Sequence, residues 1–214
     1  MFISRKIQIK MLPALFLLLA ACSSGADVQP TEELVVPADW EKFEAGEFSL
    51  YLPESFAGGS TAEELAAVMQ IFRDAGQERL AEDVETRPSS SVFFGVDANI
   101  VDPARVETKV TIFHDQATQF SEWSLEDYVN WYASILKQGD DYTELDSRNI
   151  VIDGIAAHVQ VGEYDFGTGS PVVAEEYAIK IGDTVWSIIY STDSSEYEAR
   201  KGDFEISALS FNLN

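Results

Sequence analysis

Two hairpin signals constrain the fold of this chain more than any other feature. In "RNIVIDGIAAHVQV", Asp153 and Gly154 separate two runs that are rich in β-branched residues. An Asp-Gly pair between strands is typical of a type I′ turn, whose central residues both take positive φ. The segment "VVAEEYAIKIGDTVWSIIYST" repeats this arrangement around Gly182 and Asp183. Because such turns join antiparallel neighbours, these segments predict an antiparallel sheet.

Three more strands are indicated closer to the start. "EFSLYLPESF", residues 47–56, alternates apolar and polar residues until Pro53, which predicts a strand with one buried face and an abrupt end. "SVFFGV" and "VETKVTIFH" are rich in β-branched and aromatic residues. Residues 97–105 between these two segments are predicted to form their connecting loop.

A helix is predicted after the first of these strands. The stretch from Ser60 to Glu63 fits a capping box, with Ser60 as the cap. The helical pattern then runs until Gly76 or until the acidic stretch near Asp83. Its apolar positions are Leu65, Met69 and Phe72.

The clearest helix is "SLEDYVNWYASILK", which Ser124 caps. Its predicted apolar stripe consists of Leu125, Tyr128, Tyr132 and Ile135, backed by Val129 and Leu136. Asp193 and Glu196 resemble the start of a further helix, before "FEISALSF", whose final residues are expected to pack onto the sheet.

Hairpin-joined strands with helices inserted between groups of them favour an α+β fold over a parallel βαβ array. We therefore expect a single domain with a central, largely antiparallel sheet flanked by helices.

The order of five segments resembles the PsbP-like superfamily. These segments are "FSLYLPESF", "SLEDYVNWY", "IVIDGIAAHVQVGEYD", "YAIKIGDTVWSIIYST" and "ISALSF", and the resemblance covers nearly all of residues 43–212. The superfamily includes photosystem II extrinsic proteins, a Ran-binding import factor and many bacterial envelope lipoproteins. The resemblance implies an α-β-α sandwich and a role in binding or assembly rather than catalysis.

The first residues have the pattern of a signal peptide. Arg5, Lys6 and Lys10 precede the apolar stretch "MLPALFLLLAA" at residues 11–21. As a helix this stretch would be roughly 16 Å long, too short for about 30 Å of bilayer hydrocarbon.

The end of that stretch, Leu19-Ala20-Ala21-Cys22, resembles the lipobox of bacterial lipoproteins. The resemblance implies that the Cys22 thiol carries diacylglycerol and that the chain is cut just before it. Two or three acyl chains hold a protein durably at a membrane, whereas one holds it marginally. Cys22 is therefore the one predicted modification site and lipid anchor.

This interpretation divides the chain into three parts. Residues 1–21 are predicted to be the signal peptide, and residues 22–39 the lipidated cysteine with a flexible acidic tether. Residues 40–214 form the predicted α+β domain.

The charge excludes one class of partner. The formal net charge is −23, with 37 acidic residues, and such a surface repels phosphate backbones. We expect no nucleic-acid partner, while a basic partner or a cation is electrostatically allowed.

Motifs for catalysis are weak. Ser60 lacks the second glycine of a nucleophile elbow, and a lipidated Cys22 cannot be a nucleophile. His114 and His158 lie in strand patterns without the spacing of zinc ligands. "DFG" at residues 165–167 is predicted to be a turn between strands. No catalytic, cofactor-binding or metal-binding residue is assigned, and no cofactor is expected.

Two groups of acidic residues are candidate sites. Glu175 and Glu176 are adjacent carboxylates that can do acid-base work, but accidental neighbours are expected in so acidic a chain. The second group is an acidic loop that contains Asp140, Asp141, Glu144 and Asp146. Oxygen-rich loops suit calcium, but this loop lacks EF-hand spacing, and exposure to solvent explains its acidic residues equally well.

The function expected from these features is that of an extracytoplasmic lipoprotein that acts as a non-catalytic binding or assembly module for an envelope partner. The alternative is a small-ligand carrier or hydrolase whose site combines residues distant in sequence. A deep pocket with convergent polar groups favours the alternative. Four tryptophans are candidates for a partner surface or for core packing, namely Trp40, Trp123, Trp131 and Trp186.

Overall fold

A computed structural model describes residues 34–99, 105–115, 120–139, 141–167 and 169–214. The described residues hold ten strands and four helices. The strands are Trp40–Ala45 (β1), Phe48–Pro53 (β2), Phe56–Gly59 (β3), Phe93–Asp97 (β4), Lys109–Asp115 (β5), Tyr142–Ile152 (β6), Ile155–Tyr164 (β7), Val172–Ile181 (β8), Thr184–Asp193 (β9) and Asn212–Leu213 (β10). The helices are Ala62–Asp74 (α1), Glu78–Glu85 (α2), Leu125–Leu136 (α3) and Tyr197–Leu209 (α4).

Seven strands form the central sheet in the order β3-β4-β5-β9-β8-β7-β6, and each neighbouring pair is antiparallel. The predicted α+β class with a central antiparallel sheet is confirmed. Strand β9 lies between β5 and β8 in this sheet.

The two hairpin turns differ in backbone conformation. Asp153 has φ 48° and Gly154 has φ 76°, as the predicted type I′ turn between β6 and β7 requires. Between β8 and β9, Gly182 has φ 58°, but Asp183 is not among the described residues with positive φ. This second hairpin is therefore confirmed with a different turn, because positive φ at the first central residue alone is typical of type II′.

A second, three-stranded sheet was not predicted. Strand β2 lies between β1 and β10, with Ser49 opposite Asn212 and Phe48 opposite Leu213. The backbone N–H of Asn214 also donates to the carbonyl of Glu47 at 2.9 Å.

This small sheet and α4 cover one face of the central sheet. The predicted buried face of β2 is confirmed, since its apolar side chains are at most 1% exposed. Phe211 packs on Trp186 with ring centres 5.7 Å apart, which confirms the expected closure of the last residues onto the sheet. The residues that enter this core from β2 are Phe48, Leu50 and Leu52.

Helices α1 and α2 pack on the opposite face, over Phe94 and Val96 of β4. The N-cap of α1 is Thr61 rather than the predicted Ser60, because the Thr61 hydroxyl accepts from the backbone N–H of Glu64 at 3.2 Å, while the Glu64 carboxylate accepts from that of Thr61 at 3.0 Å. The helix ends before Gly76, one of the two predicted ends. The separate helix α2 was not predicted.

Helix α3 also packs on this face, over Ala178 and Val185. The predicted cap is confirmed, because Ser124 and Asp127 form a capping box. The predicted apolar stripe is partly wrong, since Ile135 is 43% exposed and Trp131 packs there instead. The Trp131 ring lies 5.0 Å from that of Phe120.

The start of α4 matches one of its two predicted signals. Glu196 is the N-cap of this helix, whereas Asp193 still belongs to β9. None of the helices in the described ranges is long and apolar enough to span a bilayer.

Candidate functional site

Two adjacent glutamates of β8 are buried in the domain. Glu175 is 1% exposed and Glu176 is 7% exposed. Successive side chains of a strand point to opposite faces of the sheet, so the two carboxyl groups lie in different surroundings. Each of them lines a cavity.

The first cavity lies between α3 and the central sheet and has a volume of about 440 Å³. We call it the α3 cavity. Strands β5, β8 and β9 form its floor, and two tyrosines of α3 form part of its wall. Its lining includes Phe113, His114, Asp115, Tyr128, Tyr132, Glu176, Ser187 and Ile189.

The α3 cavity is present because the helices leave part of the sheet uncovered. Helices α1 and α2 lie over β4, and α3 lies over β8 and β9. Between them, Phe113 and Ile189 are only half-buried. The cavity is thus an opening between two helical layers, with apolar side chains beside polar ones.

Glu176 is the central ionisable group of this cavity. The hydroxyl groups of Ser187 and Tyr132 lie beside its carboxyl group and stabilise its charged form. Burial outweighs this stabilisation and raises the pKa of Glu176 to about 7. Among the described residues, no lysine or arginine pairs with Glu176.

The two tyrosines sit one helical turn apart, and the capping box at Ser124 fixes the start of their helix. The rings of Tyr128 and Tyr132 are stacked, with centres 6.2 Å apart. The Tyr128 hydroxyl lies 3.5 Å from the Ser187 hydroxyl, a long contact. Burial raises the pKa of Tyr128 to about 12, and it also raises the pKa of Tyr132. Both hydroxyls therefore stay protonated at neutral pH.

Polar side chains of the neighbouring strands β6 and β7 lie beside Glu176. Gln160 of β7 lies opposite Glu176 in the sheet, and its amide donates to the Tyr142 hydroxyl at 2.8 Å. Gly162 makes room for this tyrosine, because a Cβ there would come within 2.1 Å of the ring.

The second cavity lies between α4 and strands β6, β7 and β8 and has a volume of about 660 Å³. We call it the α4 cavity. Here Glu175 accepts hydrogen bonds from the hydroxyls of Tyr177, at 2.7 Å, and Tyr197, at 2.9 Å. Arg148 adds a positive charge, with Nη2 3.5 Å from the Glu175 carboxylate. Burial raises the pKa of Glu175, whereas these three groups lower it.

The α3 cavity can do more chemistry than the α4 cavity. Glu175 already has two donors and a cation, so its hydrogen-bonding capacity is largely used within the domain. Glu176 has donors but no cation, and its carboxyl group can gain or lose a proton near neutral pH. The α3 cavity is therefore the candidate site.

The predicted anchor Cys22 lies outside the described residues, which begin at residue 34. The two histidines are strand residues, as predicted. His114 of β5 lines the α3 cavity, with its ring 5.1 Å from that of Trp186. His158 of β7 hydrogen-bonds Asn149 at 2.9 Å, and burial lowers its pKa.

The candidate calcium loop is not assembled as a cluster in the described part of the chain. Asp140 lies outside it, and Glu144 pairs with Lys137 at 2.9 Å. Asp146 pairs with Arg148. No group of three or more His, Cys, Asp or Glu side chains among the described residues is placed to hold a metal ion.

The sequence did not identify the site. The sequence presents Glu175 and Glu176 as a carboxylate pair, but their positions on opposite faces of β8 prevent them from acting together. The available signal was the position of two acids within the otherwise largely apolar run "VVAEEYAIKI", which indicates a strand buried on both faces.

The tryptophans follow the packing interpretation. Trp186 is 4% exposed and belongs to the core. Trp123 and Trp131 each lie 5.0 Å from Phe120, between ring centres. Trp40 is half-buried on β1.

The fold and the cavity define an α+β domain with a central antiparallel sheet and an enclosed carboxyl group. Cyanobacterial PsbP (CyanoP) from Synechocystis sp. PCC 6803 is a similar solved structure, with TM-score 0.53, 11% identity and coverage of 86% of this chain and 98% of that one. A mutant of the protein Mog1 is similar with TM-score 0.50, 9% identity and coverage of 81% and 95%. The described domain thus has the PsbP-like fold that the sequence predicted. No protein-family model and no curated protein sequence matches the chain.

Proposed function

We propose that this chain is a lipid-anchored, extracytoplasmic and non-catalytic module that binds a small ligand in the α3 cavity. The observation that carries the proposal is the cavity itself. It combines residues of β5, α3, β8 and β9, and a buried carboxyl group and three hydroxyl groups converge in it. Pockets of about 300 to 1,000 Å³ with a few placed polar groups are typical of small-molecule sites.

The anchor in this proposal is Cys22. It is supported by the sequence, in which basic residues precede a short apolar stretch that ends in two alanines and the cysteine. Acylation at this position places the domain outside the cytoplasm and next to a membrane.

The anchor is tested with the full chain expressed in bacteria. Cys22→Ser is expected to abolish acylation and to release the protein from the membrane fraction or leave residues 1–21 attached. Ser23→Ala is the matched control and is expected to stay membrane-bound. Mass spectrometry of the native protein that finds an unmodified Cys22 with Met1 still present would contradict the anchor.

The cavity is tested by ligand-observed NMR with the full chain in a non-ionic detergent and a library of small neutral and charged fragments. Ile189 is half-buried on the β9 floor of the cavity, and Ile189→Phe fills part of the space above it. This variant is expected to abolish the binding of fragments that bind the wild type. Ile189→Val is the control and is expected to retain binding. Fragments that bind Ile189→Phe as well as wild type would contradict the cavity as the site.

A protein partner in the envelope is the second candidate function. Among the described residues, β6 pairs only with β7, so the backbone along one side of β6 has no partner strand. Leu145 is 51% exposed and Val151 is 39% exposed on this strand. An unpaired edge with exposed apolar side chains suits the addition of an extended peptide.

This candidate is tested by photo-crosslinking in cells. A photoreactive residue at Leu145 or Val151 is expected to give a discrete adduct with an envelope protein. The same residue at the exposed Glu63 of α1 is the control and should give none. Identical adduct patterns at all three positions would exclude β6 as the specific surface.

A further inference from the structure

We infer that the α3 cavity binds a small molecule that carries a protonated amine on an apolar body, with the ammonium group at Glu176. The inference rests on the proposed function of the cavity and adds the chemical class of the ligand.

The first observation is the missing counter-charge. Glu176 is buried, and none of the described lysines and arginines pairs with it. Its neighbour Glu175 shows that the same sheet can supply a cation to a buried carboxylate, because Arg148 approaches it at 3.5 Å. A charged carboxylate is costly to bury alone and is stabilised by a hydrogen-bonded cation. A ligand ammonium group supplies that cation.

The second observation is the supply of acceptors. The Tyr132 and Ser187 hydroxyls line the cavity and stabilise the charged form of Glu176, and each hydroxyl oxygen has lone pairs that can accept a hydrogen bond. A primary ammonium group has three N–H donors and no acceptor. The carboxylate and these two hydroxyl oxygens together provide the three acceptors that such a group needs.

The third observation is the apolar and aromatic wall. Phe113, Tyr128 and Tyr132 line the cavity beside Glu176. Aromatic rings attract cations through their faces and also pack against an apolar body. The cavity volume of about 440 Å³ is within the range of small-molecule sites.

The fourth observation is the electrostatic field. The formal net charge of the chain is −23, and Asp115 is the second carboxyl group on the cavity lining. None of the described lining residues is a lysine or an arginine. A field of this sign raises the local concentration of cations and repels anionic ligands.

Protons and the ligand compete for Glu176. The groups that face it are Tyr128 and Tyr132 from α3, Ser187 from β9, Gln160 from β7 and Asp115 from β5, and the phenols of Tyr142 and Tyr164 are close enough to feel its charge. Because the ammonium group pairs with the ionised carboxylate, its binding releases a proton where Glu176 is protonated. The affinity for the amine is therefore expected to rise from about pH 5 to about pH 8.

The test is calorimetric titration of the full chain in a non-ionic detergent with phenethylamine. Phenethyl alcohol is the uncharged probe of the same shape, and hydrocinnamate is the anionic probe. Glu176→Gln is expected to weaken phenethylamine binding about ten- to a hundredfold, the range expected for loss of a hydrogen bond to a charged group. Glu175→Gln is the matched control on the other face of β8 and is expected to bind as wild type does. Glu176→Asp retains the charge and is expected to restore part of the affinity, and thermal unfolding confirms that each variant is folded.

Three outcomes overturn the inference. Equal affinity of Glu176→Gln and wild type for phenethylamine places the amine elsewhere. Equal affinity of the wild type for the amine and the alcohol, with both lost in Ile189→Phe, refutes the charged ligand but leaves the cavity as a ligand site. Failure of all three probes to bind removes the inference and also counts against the proposed function.

Discussion

Glu175 and Glu176 are neighbours on one strand and are buried to a similar degree, yet they have different partners. Glu175 is held by two tyrosine hydroxyls and lies beside Arg148. Glu176 lies beside two hydroxyls in the α3 cavity and has no cation among the described residues. The comparison teaches that burial alone does not identify a functional carboxyl group. The property that distinguishes the two glutamates is whether the domain itself supplies a cation to the buried carboxyl group.

The largest predicted effect is on the side of Glu175. The double variant Tyr177→Phe, Tyr197→Phe removes both hydroxyl donors and is expected to lower the free energy of unfolding by about 3 to 5 kcal/mol at about pH 8. Urea unfolding measures this loss. In a Glu175→Gln background the same double change is expected to cost about 1 to 2 kcal/mol, because the hydroxyls then bond a neutral amide. Equal losses in both backgrounds would contradict the assignment of these hydroxyls to a charged group.

The next effect is on the pH dependence of stability and belongs to Glu176. Its pKa is about 7 in the folded state, against 4.5 for an ordinary glutamate, so the folded state binds more protons between these values. Stability is therefore expected to fall as pH rises across this interval, by about 3 kcal/mol. Glu176→Gln lacks this loss, so its stability relative to wild type should increase from about pH 4.5 to about pH 8. Parallel stability curves for the two proteins would show that Glu176 titrates normally.

Removal of the cation beside Glu175 is expected to have a smaller effect. Arg148 is partly exposed, so Arg148→Met should cost about 1 kcal/mol. Arg148 lowers the pKa of Glu175 and also pairs with Asp146, so only the part of its contribution that involves Glu175 depends on the ionisation of Glu175. The cost should therefore grow between about pH 5 and about pH 8, as measured by urea unfolding at both values. A pH-independent cost would assign the effect to the Asp146 pair or to packing of the arginine stem.

The smallest effect is predicted for Tyr128. Its hydroxyl lies 3.5 Å from the Ser187 hydroxyl, too far for a strong hydrogen bond, so Tyr128→Phe should change stability by less than about 0.5 kcal/mol. Tyr132→Phe removes a hydroxyl that stabilises the charged form of Glu176 and should cost about 1 kcal/mol. Thermal unfolding compares the two variants at about pH 6. A larger cost for Tyr128→Phe would reverse their assigned roles.

The sequence predicted the parts of the fold that depend on local signals. The Asp153-Gly154 turn requires positive φ at both residues, and the cap at Ser124 needs only the residues that follow it. These signals act over a few positions and are visible in the printed sequence. They also sufficed to predict the class of the fold.

Features that depend on distant partners were missed. Strand β10 pairs with β2 from the far end of the domain, and no local pattern indicates this register. Only three residues, Ala75, Gly76 and Gln77, separate the end of α1 from the start of α2, so the pattern predicts one helix with an uncertain end. Glu176 became a candidate only when the sheet order placed β8 between β7 and β9. The gap between the helical layers likewise depends on tertiary packing.

The pairing of β10 with β2 has a consequence for how the domain is assembled. A polypeptide is synthesised from its amino end, so this edge of β2 remains open until almost every other described residue of the domain has been made. Loss of residues 212–214 by proteolysis would leave the same edge open in the finished protein, available to strands of other chains. This short strand therefore determines whether β2 is closed within its own molecule.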